Sequence, residues 1–195
     1  IAVRGGDWFH AIGTPASTGT KLLSVSGDVE SPGIYEFPFG VTVAEVLEAA
    51  GAHDTQAVTS AGAAGHCLAA DEFGRRIAFE DVATGGSIMV FDRSRDMFEV
   101  AHNFAHFFAH ESCGFCTPCR VGTAVNARLL DKLAADHGSP YDLDEIAKMH
   151  RLMQGASHCG LGNTATIAID DMLAKFRPAF ERRLHSPDYE PAFDL

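Results

Sequence analysis

The chain has 195 residues, 46% hydrophobic and 21% charged, a balance that allows one good core or two modest ones and excludes a disordered tail. Fifteen basic against twenty-six acidic side chains give a net charge of -11, which repels phosphate backbones and anionic lipid and argues against nucleic acid or a membrane surface as partner. No stretch reaches the roughly 20 uninterrupted apolar residues of a membrane span, and residues 1 to 15 lack the apolar core of a signal peptide, so the chain is expected to be cytoplasmic.

The opening IAVRGGDWFHAIGTPASTGT has no initiator methionine and no strong period, so residues 1 to 20 are expected to be a remnant or linker of something longer. From Lys21, KLLSVSG, the turn Ser31 to Gly33 and IYEF predict a hairpin. TVAEVLEAAG predicts a short helix: Thr42 and Glu45 form a capping box, Val46, Leu47 and Ala50 share a face, and Gly51 supplies the stop. AVTSAG, HCLAA and SIMVFD follow as short apolar runs, the last behind the turn pair Gly85-Gly86. Strands, one helix and more strands over residues 21 to 95 predict a small α+β unit of the β-grasp kind.

After Asp96 the period changes. Val100, Phe104, Phe107 and Phe108 recur at helical spacing, as do Val125, Leu129 and Leu133, with Gly138 as the expected stop. Asp142 and Glu145 read as a capping box before a helix through Ile146, Met149 and Met153, and a last helical stretch runs from about Thr164 to Leu184, with Pro178 expected to bend or interrupt it. Residues 96 to 185 are thus expected to form an all-α helical bundle, with 186 to 195 as a tail.

Five cysteines, Cys67, Cys113, Cys116, Cys119 and Cys159, are an odd number in a chain without signs of secretion, which favours metal ligation over a disulfide framework. Cys113, Cys116 and Cys119 form C-x2-C-x2-C, and 39 residues separate the third from Cys159, enough for two helices to run out and return a fourth thiolate. A structural zinc site favours two separated C-x2-C pairs around a tetrahedral ion. Three close thiolates and one distant one suit a cuboidal [4Fe-4S] cluster better, although zinc remains the alternative. Thr117 as N-cap and Pro118 as first helical residue would set Cys119 in an opening helical turn, where free amides offset negative charge. Arg120 adds a cation, and Gly114, Gly160 and Gly162 allow close backbone approach, with a further helix start at Asn163 or Thr164. Cys67, far off in the strand-rich half, reads as a small buried hydrophobe.

Other patterns carry less. GLGNTA fits G-x-G-x-x-A but follows a helix rather than a strand, and GTPASTGTK misses the phosphate loop because its glycines are six apart and Leu22 follows the lysine. His102, His106 and His110 share a helical face and could hold a second metal, yet without an accompanying carboxylate pattern they read first as solvent-facing or core-packed. No nucleophile, acid or base can be assigned from spacing.

HESCGFCTPCRVGT and SHCGLGNTA closely resemble the flavoprotein subunit of respiratory complex I and its relatives, the diaphorase subunits of NAD-reducing [NiFe] hydrogenases and of NAD-dependent formate dehydrogenases. GTKLLSVSGDVESPGIYEFPFGVTVAEVL resembles the family's soluble-ligand-binding β-grasp domain, and GFCTPCRVGT looks nearer the hydrogenase and formate dehydrogenase branch. The resemblance implies Cys113, Cys116, Cys119 and Cys159 as the ligands of one [4Fe-4S] cluster, relaying single electrons to or from partner subunits, namely a small iron-sulfur diaphorase subunit and a hydrogenase or formate dehydrogenase module. It places FMN and NAD(H) in a larger domain before the β-grasp unit, so these 195 residues are expected not to be catalytic alone.

Overall fold

A computed structural model describes residues 1–185, and the expected tail at 186–195 lies outside the described residues. The chain divides into two compact units, Ile1–Ser94 and the residues from Arg95 onward.

In the first unit a short helix α1 (Gly6–His10) precedes a five-stranded sheet built from β1 (Thr20–Gly27), β2 (Gly33–Pro38), β3 (Thr55–Ala63), β4 (Cys67–Ala69) and β5 (Ser87–Asp92). The strands lie in the order β2-β1-β5-β3-β4. The hairpin read from the sequence is present, with Leu23 opposite Tyr35. β1 and β5 run parallel, from Ser24 beside Ser87 to Gly27 beside Val90. Gly27 allows that pairing to close: its φ is +96°, and a Cβ there would sit 2.2 Å from the Val90 carbonyl oxygen.

Helix α2 (Val43–Ala49) begins as the sequence predicts. The Glu45 amide donates to Thr42 Oγ1 at 3.2 Å, and the Thr42 amide donates to Glu45 Oε2 at 2.8 Å. Its Val43, Val46 and Leu47 share one buried cluster with Leu23, Val25, Val58, Leu68, Ile77, Ile88 and Val90. Each such side chain contributes roughly 1.5–3 kcal/mol by leaving water. GTPASTGTK runs into β1 rather than a helix, so it builds no phosphate cradle. Its Thr14 and Ser17 hydroxyls instead donate to the Glu80 carboxylate.

The second unit contains α3 (Met97–Glu111), α4 (Thr117–Ala134), α5 (Pro140–Ala156), α6 (Gly160–Thr164), α7 (Ile167–Lys175) and α8 (Arg177–Glu181). Asp96 caps α3, accepting from the Phe98 amide at 3.0 Å, and also binds Arg182 and Arg183 beside α8. Phe98 meets Phe180 edge-on at 5.4 Å, with the Arg183 guanidinium 3.9 Å over its ring. Of the α3 residues at helical spacing, Phe104 and Phe108 are buried, Val100 is half-buried and Phe107 is exposed.

Two boundaries differ from the sequence expectation. Helix α4 stops at Ala134, not near Gly138: Asp136 takes the left-handed conformation (φ 59°), and the amides of Asp136 and His137 return to the carbonyls of Leu133 and Lys132. Gly138 serves close approach instead, since a Cβ there would lie 2.9 Å from the Arg183 carbonyl oxygen. Helix α5 starts a turn before the Asp142/Glu145 pair, because Asp142 Oδ2 accepts from the amide and hydroxyl of Ser139 while Pro140 opens the helix. Asp142 is fully buried and paired with Lys132 Nζ at 2.9 and 3.0 Å. The stretch expected as a last helix is the pair α7 and α8, interrupted near Pro178 as expected, with Pro178 in the first turn of α8, where its missing N–H leaves no bond unmade.

Candidate metal centre

The four candidate ligands sit where helices begin. Cys113 and Cys116 lie between α3 and α4, Cys119 falls in the first turn of α4, and Cys159 directly precedes α6. The cap of α4 is Cys116 rather than Thr117, which sets a sulfur instead of a hydroxyl over the free amides, with Pro118 just inside the helix. Likewise α6 begins at Gly160 with Cys159 as its cap, ahead of the expected Asn163 or Thr164. Cys119 is buried, Cys116 half-buried, and Cys113 and Cys159 exposed. Cys67 is buried in β4 in the other unit, as a small hydrophobe would be.

The two cysteine segments meet where the His158 backbone faces the Cys116 thiol. The His158 amide most strongly favours the Cys116 thiolate, followed by the Cys119 amide. With the amide of Cys116 itself and the charge of Arg120, these outweigh burial and hold the thiol below its usual range. Phe115 and His158 touch edge to face at 5.7 Å. Gly162 seats α6 against Cys119, since a Cβ at that glycine would lie 3.1 Å from Cys119 Cβ and 2.5 Å from Ser157 Cβ.

Within the first segment, Ser112 Oγ lies 3.3 Å from Cys119 Sγ and accepts from the Gly114 amide at 3.3 Å. Gly114 takes φ +73°, and Arg120 Nη1 donates to its carbonyl at 2.9 Å, so the cation is fixed across the loop. Ser157 Oγ and Asn163 Oδ1, on either side of Cys159, are buried without a hydrogen-bond partner. Thiols backed by amides, a fixed guanidinium and an uncommitted hydroxyl donor fit a sulfur-ligated anionic centre. Ser112 and His158 were not singled out in the sequence, although each stands directly beside a cysteine.

The three histidines of α3 do not act together. His102 and His106 both turn Nε2 toward Asp131 Oδ1 of α4, each at 2.7 Å, whereas His110 pairs with Glu111 at 3.1 Å. Asp131 is 25 residues beyond His106 on another helix, and no local pattern announces it. GLGNTA follows α5 and forms α6, so the strand required by a dinucleotide fingerprint is absent there. Among the described residues no helix is long and apolar enough to cross a membrane.

Residues 99–183, which include Cys113, Cys116, Cys119 and Cys159, match the family described as the NADH-ubiquinone oxidoreductase-F iron-sulfur binding region, and residues 22–61 match the SLBB domain. The chain is 40% identical, over its whole length, to 33% of the NAD-reducing hydrogenase HoxS subunit alpha of Cupriavidus necator. It is 33% identical to an NADH-quinone oxidoreductase subunit of Rhizobium meliloti, over 92% of this chain and 45% of that protein. A crystal structure of an NAD+-reducing [NiFe]-hydrogenase in the H2-reduced state superposes with a TM-score of 0.92 at 45% identity, over 98% of this chain and 34% of that one. The chain thus spans between a third and a half of these relatives' length. It belongs to the family of flavoprotein subunits shared by NAD-reducing hydrogenases and NADH-quinone oxidoreductases, of which it carries the SLBB domain and the iron-sulfur binding region.

Proposed function

We propose that this chain is the electron-relay part of an NAD(H)-linked flavin and iron-sulfur oxidoreductase subunit, with Cys113, Cys116, Cys119 and Cys159 as the ligands of one [4Fe-4S] cluster. The observation that carries this reading is the convergence on Cys116 of amides from both cysteine segments, with Gly162 seating α6 on Cys119. A cluster held there would supply uptake and release of one electron at a time. The residues around it set how readily it does so. The amides of His158 and Cys119, the Arg120 cation and the Ser112 hydroxyl all favour added negative charge, while exposure of Cys113 and Cys159 admits water to one side.

The first unit is read as a β-grasp domain, supported by the hairpin, the following helix and the parallel β1/β5 pair, and the second as the cluster-bearing helical bundle. Residues 1 to 20 are read as the end of a preceding flavin and NADH domain. Hydride exchange with NAD(H) on FMN belongs to that domain, so the present residues relay electrons and do not catalyse alone. The likeness to hydrogenase proteins supports a small iron-sulfur diaphorase subunit and a hydrogenase module as partners, in a cytoplasmic complex.

Cys159→Ser tests the reading. The parent, purified anaerobically, is expected to carry about four iron and four acid-labile sulfide per chain with broad visible absorption. The variant should lose most of the iron while residues 21 to 95 stay folded, as followed by amide exchange. Zinc in a colourless parent would refute the cluster, and a cluster that no reductant can cycle would make the site a structural staple.

A further inference from the structure

We propose that His102, His106 and Asp131 form a second metal site, separate from the cysteines, which takes a divalent transition ion of the zinc type and clips α3 to α4. His102 and His106 stand one turn apart on α3 and point the same way. Their rings meet at 85° with centroids 4.8 Å apart, and both Nε2 atoms aim at one oxygen of Asp131. All three ligand atoms lie within 4.8 Å of one another.

A tetrahedral ion with bonds near 2.0 Å separates its ligand atoms by about 3.3 Å. The two 2.7 Å contacts therefore need to open by about 0.6 Å, and the two nitrogens, within 4.8 Å of each other, to close by up to about 1.5 Å. The side chains of His106 and Asp131 are each about half exposed, so rotation can supply that change without moving the helices. Two imidazole nitrogens and one carboxylate oxygen suit zinc, cobalt, nickel or copper, whereas calcium and magnesium prefer sets made of oxygen alone. Three protein ligands leave a fourth position for water.

The surroundings favour a cation there. Asp131 sets one carboxylate oxygen between the two imidazoles, a charge opposite to that of an incoming ion. When an ion takes Nε2 the imidazole proton resides on Nδ1, and His102 Nδ1 faces Glu99 Oε2 at 3.9 Å, within reach of a small adjustment. Glu99 is steadied by Arg183 at 2.9 Å, and His102 stacks on Phe98 with the rings 15° apart. His102 is thus a positioned ligand, while His106 and Asp131 complete the set from the solvent side.

The test adds zinc chloride to the full chain, purified anaerobically with its cysteine site loaded, and reads affinity by competition with a chromophoric chelator and ligand type by zinc-edge X-ray absorption. One zinc per chain is expected in a nitrogen and oxygen shell near 2.0–2.1 Å, with iron and sulfide unchanged. His106→Ala and Asp131→Asn should each weaken binding at least tenfold, and His110→Ala should leave it unchanged. At a zinc concentration 100 times its dissociation constant the folding equilibrium should shift by about 100-fold in the parent and in His110→Ala, and not in His106→Ala. A sulfur shell near 2.3 Å, release of iron, equal affinity in His106→Ala, or no binding at all would overturn the proposal. The absorption spectrum of the unaltered chain decides the ligand type even if a variant folds poorly.

Discussion

Gly162→Ala tests how the returning segment is seated. The new methyl would stand 2.5 Å from Ser157 Cβ, 2.6 Å from Ser157 Oγ and 3.1 Å from Cys119 Cβ. Carbon atoms at rest sit about 3.5–4.0 Å apart, so α6 must withdraw by roughly 1 Å, taking Cys159 with it. Overpacking of this kind costs about 1–3 kcal/mol, while exchanging glycine for alanine in a helix returns at most about 1 kcal/mol. With that return subtracted, the net loss is about 0–2 kcal/mol. Gly160→Ala is the internal control, because nothing lies within 4 Å of a Cβ at that position. Both variants would be purified anaerobically and compared for iron and sulfide per chain, for the rate at which a chelator bleaches the visible absorption, and for urea midpoint. Gly162→Ala should lose iron several-fold faster than Gly160→Ala and unfold at lower urea. Equal iron retention and equal midpoints in the two variants would refute the claim that α6 rests on Cys119.

Asp142→Ala removes the partner of a buried ammonium, since the Lys132 side chain is 7% exposed, and also removes the acceptor of the α5 cap. A loss of about 3–5 kcal/mol is expected, seen as a lower urea midpoint, and Lys132→Met combined with Asp142→Leu should recover much of it. Asp96→Asn probes pH. Burial pushes the Asp96 carboxyl up, but Arg183, the Phe98 amide and Arg182 outweigh it, so its folded value lies below the unfolded value of about 3.9. Its stabilisation is therefore complete above about pH 5 and fades as pH falls through the lower folded value. The variant should be less stable than the parent at pH 7, with the gap closing near pH 2; a gap that stays constant from pH 7 to pH 2 would contradict the assignment.

Features legible in the sequence were those set by neighbours along the chain. The Thr42/Glu45 box, the hairpin and the helical stripe through Phe104 and Phe108 all follow from residues within a few positions of one another. The start of α5 was misread because Asp142 and Glu145 imitate a box, whereas the Lys132 pairing that buries Asp142 comes from another helix. The end of α4 was misread because glycine usually takes the left-handed cap, and here Asp136 does so while Gly138 answers a steric demand from Arg183. At the cysteines, spacing named the candidate ligands. The donors around them were not legible, because the His158 amide reaches Cys116 only after α4 and α5 have folded back. Asp131 beside His102 and His106 was hidden for the same reason.

The parallel contact of β1 with β5 gives synthesis of the first unit a definite completion point. A ribosome that has not yet delivered Ser87 has made the β1/β2 ribbon and the β3/β4 ribbon but lacks the strand lying between them. Until then Val25 and Val58 have no common neighbour in the sheet, and two unpaired edges stay open to foreign strands. Assembly of the sheet is in effect sealed from its middle, by the last strand to emerge, only a few residues before the helical unit begins.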